Sequence, residues 1–409
     1  MSIALYAIDH RIVIVDEHIK IFETALGARR ASPFVHAISL VISFSSLGLL
    51  SASESTKGNK EAVSGPIIID GRDGVVIEGL RVGTLKGDCV QIIDSKNVTI
   101  RNSNIGPCGG NGIRIRGGQG ISVVDSYIHP ETQSEGCCDR NDGIFAVGTL
   151  DLLIQGNVVA YGESNIEIHG SAKVQVRGNF LLNPRGPFPR GQNFQCWSEA
   201  GDGTGLGCSH ITVENNYVLS SADSTKYLFP EKTQDSINFG YTRDALVVNN
   251  YVRGGHSIAG CGLIADIGAS NILFKDNQLV DTGQCGIGIA DGKENVVDGN
   301  WIWNRNPVAG GGNQGIYVWQ FYGVKGRCAD TRIINNVAFS LQPNGTKAGF
   351  WKGPGCDETV VMNNKFGIDA LPLFKASSRR FKVPLIPPEP KGCVVTSPYS
   401  NYRSLAACK

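Results

Sequence analysis

The sequence is poor in methionine, with 2 among 409 residues, and it lacks any surplus of charge: 38 basic residues stand against 37 acidic ones, a formal net charge of +1. A nucleic-acid binder concentrates positive charge to neutralise phosphates, so this balance argues against one. No two cysteines form a Cys-x-x-Cys pair, which removes the usual signature of a zinc site. A phosphate-binding P-loop, a dinucleotide fingerprint, an HExxH helix and a Ser-His-Asp order are missing as well. The longest apolar stretch, 34–50, is broken by His36, Ser39, Ser43, Ser45 and Ser46 and falls short of the about 20 residues of a comfortable membrane span.

Glycine and cysteine are plentiful, with 52 Gly and 12 Cys. Arg29-Arg30, the apolar stretch and Ser51-Ala52-Ser53 follow the basic, apolar, small-x-small order of a secretory leader, so 1–53 is expected to be removed and 54–409 to be the mature chain. An uncleaved anchor is the alternative. All 12 Cys follow Ser53, which fits export to a periplasmic or extracellular compartment where disulfides persist, with no stable membrane insertion after cleavage.

The strongest signal is repetition. A unit apolar-x-apolar-x-x-Asn-x-apolar recurs, as in Val98-Thr-Ile-Arg-Asn-Ser-Asn-Ile105, Val174-Gln-Val-Arg-Gly-Asn-Phe-Leu181, Ile211-Thr-Val-Glu-Asn-Asn-Tyr-Val218 and Ile272-Leu-Phe-Lys-Asp-Asn-Gln-Leu279. Its sixth position gives the series Leu80, Ser103, Ser126, Asn157, Asn179, Asn216, Asn250, Asn277, Asn300, Asn336 and Asn364, whose shortest intervals are 22 to 23 residues. A second unit, Gly-apolar-x-apolar, lies between, at Gly112, Gly143, Gly262, Gly286 and Gly315. Both have a period of two and therefore predict strands.

Strands this short at this spacing, without two-residue turns between them, pair coil on coil rather than as hairpins. The expected fold is all-β: a single-stranded parallel solenoid of about ten to eleven coils over 54–370, with apolar residues stacked inside and a ladder of Asn amides at one corner. Asn suits that corner because it tolerates left-handed backbone and bonds locally. Helical repeats are excluded by the period, and leucine-rich repeats by the missing Leu-x-x-Leu-x-Leu frame. Residues 371–409 lose the repeat and gather Pro384, Pro387, Pro388 and Pro390, as expected of a cap over an open solenoid end. Cysteines about one coil apart, Cys89/Cys108, Cys261/Cys285 and Cys328/Cys356, together with Cys196/Cys208 inside an insertion, are expected to bond; Cys137 and Cys138 have no assigned partners.

The ladder resembles that of the right-handed parallel β-helix proteins of the pectate-lyase-like superfamily, over roughly 65–366. The resemblance implies a right-handed coil. It says little about activity.

A solenoid packs its interior solid, so function falls on the outward positions of one strand column and on the long loops. The longest intervals, Ser126 to Asn157 (31), Asn179 to Asn216 (37), Asn216 to Asn250 (34) and Asn300 to Asn336 (36), would wall a groove beside the glycine-led strands. By alternation the outward residues are Arg114, Arg116, Phe145, Glu167, His169, Gln195, Trp197, Asn238, Asp266, Tyr317 and Trp319. Aromatic faces stack on sugar rings and Arg forks pair with uronate carboxylates, so the row reads as a saccharide groove. Glu167 and His169, two apart on one strand, emerge on one face about 6.6 Å apart along the backbone, as a base and its orienting partner would. Solvated strand residues and a satisfied histidine are the plain alternative.

Arg185-x-Pro187-x-x-Arg190 resembles the Arg-x-Pro-x-x-Arg stretch that carries the catalytic Arg of pectate lyases. That implies a catalytic role for Arg185 and Arg190. The acidic Ca²⁺-binding cluster of those enzymes has no evident counterpart, and no cofactor is expected. Cys137-Cys138-Asp-Arg-Asn-Asp-Gly143 and His169-Gly170 are similar to turns of polygalacturonases, whose Asp-Asp and Arg-x-Lys elements are absent. Glu167 and Asp266 fall three coils apart, on the order of 14 Å, beyond the about 5–9.5 Å that hydrolysis requires of its carboxylates. The expected function is β-elimination or C5 epimerisation of an acidic polysaccharide, with His169, Glu167, Arg185 and Arg190 catalytic and Arg114, Arg116, Gln195, Trp197, Asn238, Asp266, Tyr317 and Trp319 holding substrate. A non-catalytic glycan-binding solenoid and a hydrolase are the alternatives.

Overall fold

A computed structural model describes residues 4–8, 11–15, 65–130, 141–186, 191–199, 205–220, 234–255, 257–321, 328–356 and 358–376. Each coil contributes one strand to each of three sheets, as in Ile166–His169, Ala172–Arg177 and Phe180–Leu182. The first sheet has 13 strands, the second 11 and the third 12. Glu167 pairs with Gln195, Gln175 with Thr212 and Leu181 with Val218, so successive coils stack in parallel and in register. This is the right-handed parallel β-helix that the repeat predicts. Strands Ala4–Ile8 and Arg11–Val15 form an antiparallel pair on the N-terminal edge of the first sheet. The rest of the expected leader lies outside the described residues.

Alternation supplies the core. Ile113, Ile115, Ile166, Ile168, Phe194, Phe239, Ile287, Ile289 and Val318 point inward from the first sheet and are buried in one continuous cluster with residues of the other two. The corner between the second and third sheets carries the ladder. Each backbone N–H donates to the next coil's side chain, from Leu80 to Ser103 Oγ, through Ser126 to Asn157 Oδ1 (2.9 Å), to Asn336 and Asn364 Oδ1 (2.8 Å). The amide of each buried Asn also donates to a carbonyl one coil back, as Asn277 Nδ2 does to Val247 O at 2.8 Å.

One part of the sequence reading needs correction. The left-handed residue at this corner is the one before the ladder position: Gly79, Asn102, Asp125, Gly156, Gly178, Asn215, Asn249, Asp276, Gly299, Asn335 and Asn363 all have φ between 47° and 68°. The fifth position turns the chain and is filled by Gly, Asn or Asp, which adopt that backbone at least cost. The sixth position is thereby free to bond along the stack. A local hairpin also occurs: Ser340 and Leu341 pair antiparallel with Ala348 and Lys347 around Asn344-Gly345.

All four expected disulfides form, Cys89–Cys108, Cys196–Cys208, Cys261–Cys285 and Cys328–Cys356. Cys137, Cys138, Cys393 and Cys408 lie outside the described residues. After the last coil, the helix Leu371–Ala376 folds back on the third sheet, where Phe374 meets Trp301 edge-on at 5.4 Å and Trp303 at 4.3 Å. Residues 377–409, the remainder of the expected cap, are not described.

Candidate functional site

The outward face of the first sheet holds the predicted row in register. One column runs Arg114, Phe145, Glu167, Gln195, Asn238, Ile264, Gly288, Tyr317, Trp351. Beside it Arg116, Val147, His169 and Trp197 are successive neighbours, and farther along the same line Asp266, Ala290 and Trp319 follow one another. Alternation within a strand and parallel stacking between coils are enough to produce both columns.

The middle of the face is enclosed, where the sequence predicts an open groove. Glu167 is 0% exposed and His169 2%, and Gln195, Asn238 and Asp266 are buried too. The long intervals fall on the two flanks of these coils. Part of the cover is visible in the described residues. The Trp197 indole lies over Gly240, where a Cβ would fall within 1.9 Å of the ring, and it meets Tyr241 edge-on at 5.2 Å. Glu199 packs against Gly170, beside His169.

Glu167 Oε1 and His169 Nε2 are 2.7 Å apart. Among the described residues, the other ring nitrogen, Nδ1, makes no hydrogen bond. The imidazole also contacts the Phe145 ring, centroid to centroid at 5.3 Å. On the far side of Phe145, the Arg114 guanidinium sits 5.8 Å from the ring centroid and 3.8 Å from Asp88 Oδ2. Arg116 is exposed on the neighbouring column. The site therefore places an oriented imidazole two coils, about 10 Å, from a pair of arginines.

A second group of polar residues lies two to three coils farther on. Asn238 Nδ2 donates to Asp235 Oδ2 at 2.8 Å, and Asp235 Oδ1 accepts the Cys261 N–H at 2.7 Å. Asp266, on the adjacent coil, feels both Asn238 and Asp235: Asn238 lowers its pKa and Asp235 raises it. Burial pushes the Asp235 pKa up to about 6 against those hydrogen bonds. Burial, then repulsion from Asp235 and Asp291, pushes Asp266 up to about 7. Sequence reasoning missed Asp235 because it sits in the corner before the strand, at the end of an insertion. The corner has a ladder of its own that would have pointed to it. Asp88 Oδ1 accepts the Asn111 N–H, Asn111 Oδ1 accepts the Asp142 N–H, and Asp142 Oδ1 accepts the Ser164 N–H. Asp142, the acid of the polygalacturonase-like turn, is thus a buried ladder residue.

The remaining candidates separate. Arg185 donates from Nε to the Tyr161 carbonyl at 2.6 Å and so anchors its loop. Arg190 lies outside the described residues. Tyr317 and Trp319 stand five coils beyond Glu167 and His169 at the C-terminal end of the face, joined there by Trp351. Among the described residues, no three His, Cys, Asp or Glu side chains converge as a metal site requires.

An outward row of polar and aromatic side chains on stacked coils defines a solenoid that carries its site on one sheet. The chain belongs to the family described as the right handed beta helix region, whose model matches residues 65–187 and 193–366. No curated protein sequence matches significantly. Among solved structures, the chain is similar to the Dettilon tailspike protein gp208, with 16% identity, a TM-score of 0.45 and 74% of this chain covered. It is also similar to DFA-IIIase from Arthrobacter chlorophenolicus A6 without its lid (14% identity, TM-score 0.44, 68% covered) and to the periplasmic alginate epimerase AlgG in a double-mutant form (12%, 0.40, 70%). The chain spans 64%, 65% and 63% of the length of those three proteins.

Proposed function

We propose that the protein is an exported carbohydrate-active enzyme that removes the proton α to the carboxylate of a uronate residue in an acidic polysaccharide. The observation that carries this reading is the buried 2.7 Å contact between Glu167 and His169 Nε2, with no hydrogen bond to Nδ1 among the described residues. A carboxylate bonded to Nε2 holds the proton there, leaves Nδ1 as the acceptor, and stabilises the imidazolium that forms. His169 Nδ1 takes the C5 proton, and the electron pair moves into the uronate carboxylate as an enolate. Arg114, across the Phe145 ring, neutralises that charge. From the enolate, either the glycosidic oxygen at C4 leaves and takes the proton from the His169 imidazolium, which is elimination, or water delivers a proton to C5 from the opposite face while the imidazolium returns its own to the resulting hydroxide, which is epimerisation. Four disulfides support an oxidising compartment, periplasmic or extracellular.

The test is a panel of uronans assayed for new unsaturated ends by ultraviolet absorbance and for C5 inversion by NMR. A positioned base contributes about 10²–10⁴-fold, so His169→Ala loses that much while Glu167→Gln retains part of it. Uronans that bind yet stay unchanged would make the protein a non-catalytic glycan binder.

Hydrolysis is the second reading, favoured by Asp235 and Asp266. Two mutually repelling carboxyls on adjacent coils, with pKa values of about 6 and about 7, give one acid and one carboxylate between those values. New reducing ends that vanish in Asp266→Asn but persist in His169→Ala would select it.

A further inference from the structure

The face changes character along the rod. Its N-terminal half carries Arg114, Glu167, His169, Gln195 and Asn238. Asp266 apart, its C-terminal half is apolar: Ile264, Ala290 and the Cys261–Cys285 bridge form a cluster outside the main core, against which Tyr317 and Trp319 pack. Beyond them stand Trp351, 43% exposed, and Phe321, 58% exposed. The four rings form one chain of edge-to-face contacts. Tyr317 lies 5.4 Å from Trp351 and 5.5 Å from Trp319, and Trp319 lies 6.0 Å from Phe321. Gly353 leaves room for this arrangement, since a Cβ there would come within 2.7 Å of the Trp351 ring and 2.9 Å of Trp319.

Two amides flank the strand that carries Tyr317 and Trp319, each with an atom that has no hydrogen-bond partner among the described residues. Gln314, on the same strand as Tyr317 and Trp319, is 9% exposed, and its Oε1 accepts no hydrogen bond. At the other end of that strand the buried Gln320 Nε2 donates none. A buried amide atom without a partner is costly, because it has left water and gained no bond in return. An acceptor and a donor at the two ends of a strand that presents aromatic rings match a sugar ring, which offers a C–H face for stacking and hydroxyls around its edge.

We propose that Tyr317, Trp319, Phe321, Trp351 and Gln314 form a remote sugar subsite, which makes the protein selective for long glycan chains. This rests on the carbohydrate reading above and extends it. The column from Glu167 to Tyr317 counts five coils, about 24 Å, and Trp351 lies about 29 Å away. A sugar residue in an extended chain advances by about one strand spacing, so a chain reacting at His169 reaches the platform only after roughly five residues. A trimer bound at His169 does not touch it. A second copy of this chain is a poorer occupant. Four rings, two of them only partly exposed, supply at most about half of the roughly 800 Å² per partner that a stable interface buries.

The test measures, by calorimetry, the affinity of the full chain for trimeric and octameric oligouronates and for a neutral octameric glycan. The proteins are the wild type, Trp351→Ala, Gln314→Ala and His169→Ala, with melting temperatures recorded for each. Wild type is expected to prefer the uronate octamer to the trimer, and Trp351→Ala to reduce that preference about 3- to 10-fold. Gln314→Ala reduces it less, and His169→Ala keeps it while losing turnover. A preference that survives Trp351→Ala in a folded protein overturns the subsite. Octamer binding confined to the neutral glycan and lost in Trp351→Ala supports the subsite and removes the uronate reading. No binding of either octamer overturns both. Loss of a dimer in sedimentation, with glycan affinity unchanged, assigns the rings to self-association and overturns the subsite.

Discussion

Asp266 holds its proton more tightly in the folded chain than in the unfolded one, with a pKa raised from 3.8 to about 7. Between those values the native state binds the extra proton, so stability falls as pH rises through that window and levels off above it. Asp235, raised to about 6, adds to the same slope. Asp266→Asn removes one of the two titrations. Denaturant unfolding from pH 4 to pH 8 is therefore expected to show a shallower decline in the variant. Parallel curves for the two proteins would mean that Asp266 ionises without penalty and would remove it as a proton donor. At this scale the sequence was legible wherever a residue sits inside a strand. Period-two alternation is enough to put Glu167 and His169 side by side and Tyr317 over Gly288. It fails at the corners. Asp235 precedes its strand, and Arg185 lies in a loop whose course no periodicity sets. The enclosure of the pair is not legible either, because it depends on where insertions fold. Gly349-Phe350-Trp351-Lys352 departs from the glycine-led unit at its last position, where Lys stands for an apolar residue, so the unit does not reveal the exposed Trp351.

At the level of the coil, the ladder is the element that sequence describes best, because one residue type recurs at one position and its partners are copies of itself. Asn277 shows how much rests on each rung. Its Oδ1 accepts both the N–H and the Nδ2 of Asn250, and its own Nδ2 donates to Val247 O and Asn300 Oδ1. Asn277→Val keeps the volume and removes all of these bonds. At about 1–3 kcal/mol for each buried group left unpaired, the loss is expected to reach roughly 3 kcal/mol or more. Chemical denaturation that finds less than about 1 kcal/mol would show that the rungs relax onto other partners. The neighbouring turn residue follows a different rule. Asp276 sits at φ 53°, so Asp276→Gly is expected to cost little and Asp276→Val far more. Both residues belong to the same Asp-Asn dipeptide, and only the geometry separates a side chain that bonds from a backbone that turns.

The described coils form a rod of about 50 Å, one strand spacing for each of eleven coils, in which, two local antiparallel pairs aside, each strand pairs with the coil above and the coil below. Such a chain of nearest neighbours loses stability locally, and its ends open first. The Cys328–Cys356 bridge joins the last coils, and both cysteines are buried in the main core. Replacing both by Ala avoids burying a hydroxyl and removes the cross-link. The cost in the entropic account is about 2–4 kcal/mol. That loss is expected to stay near the C-terminal end. Amide exchange should accelerate in Arg332–Ile334, Val337–Leu341, Phe350–Lys352 and Val360–Met362, while Thr99–Arg101, Gln119–Val124 and Ala172–Arg177 keep their protection. Because Trp351 lies on the frayed stretch and His169 does not, the double variant should also lose its preference for long chains before it loses the chemistry at Glu167 and His169. Protection that falls equally along the rod would show that the coils open as one unit, and the aromatic end could then not be weakened apart from the centre.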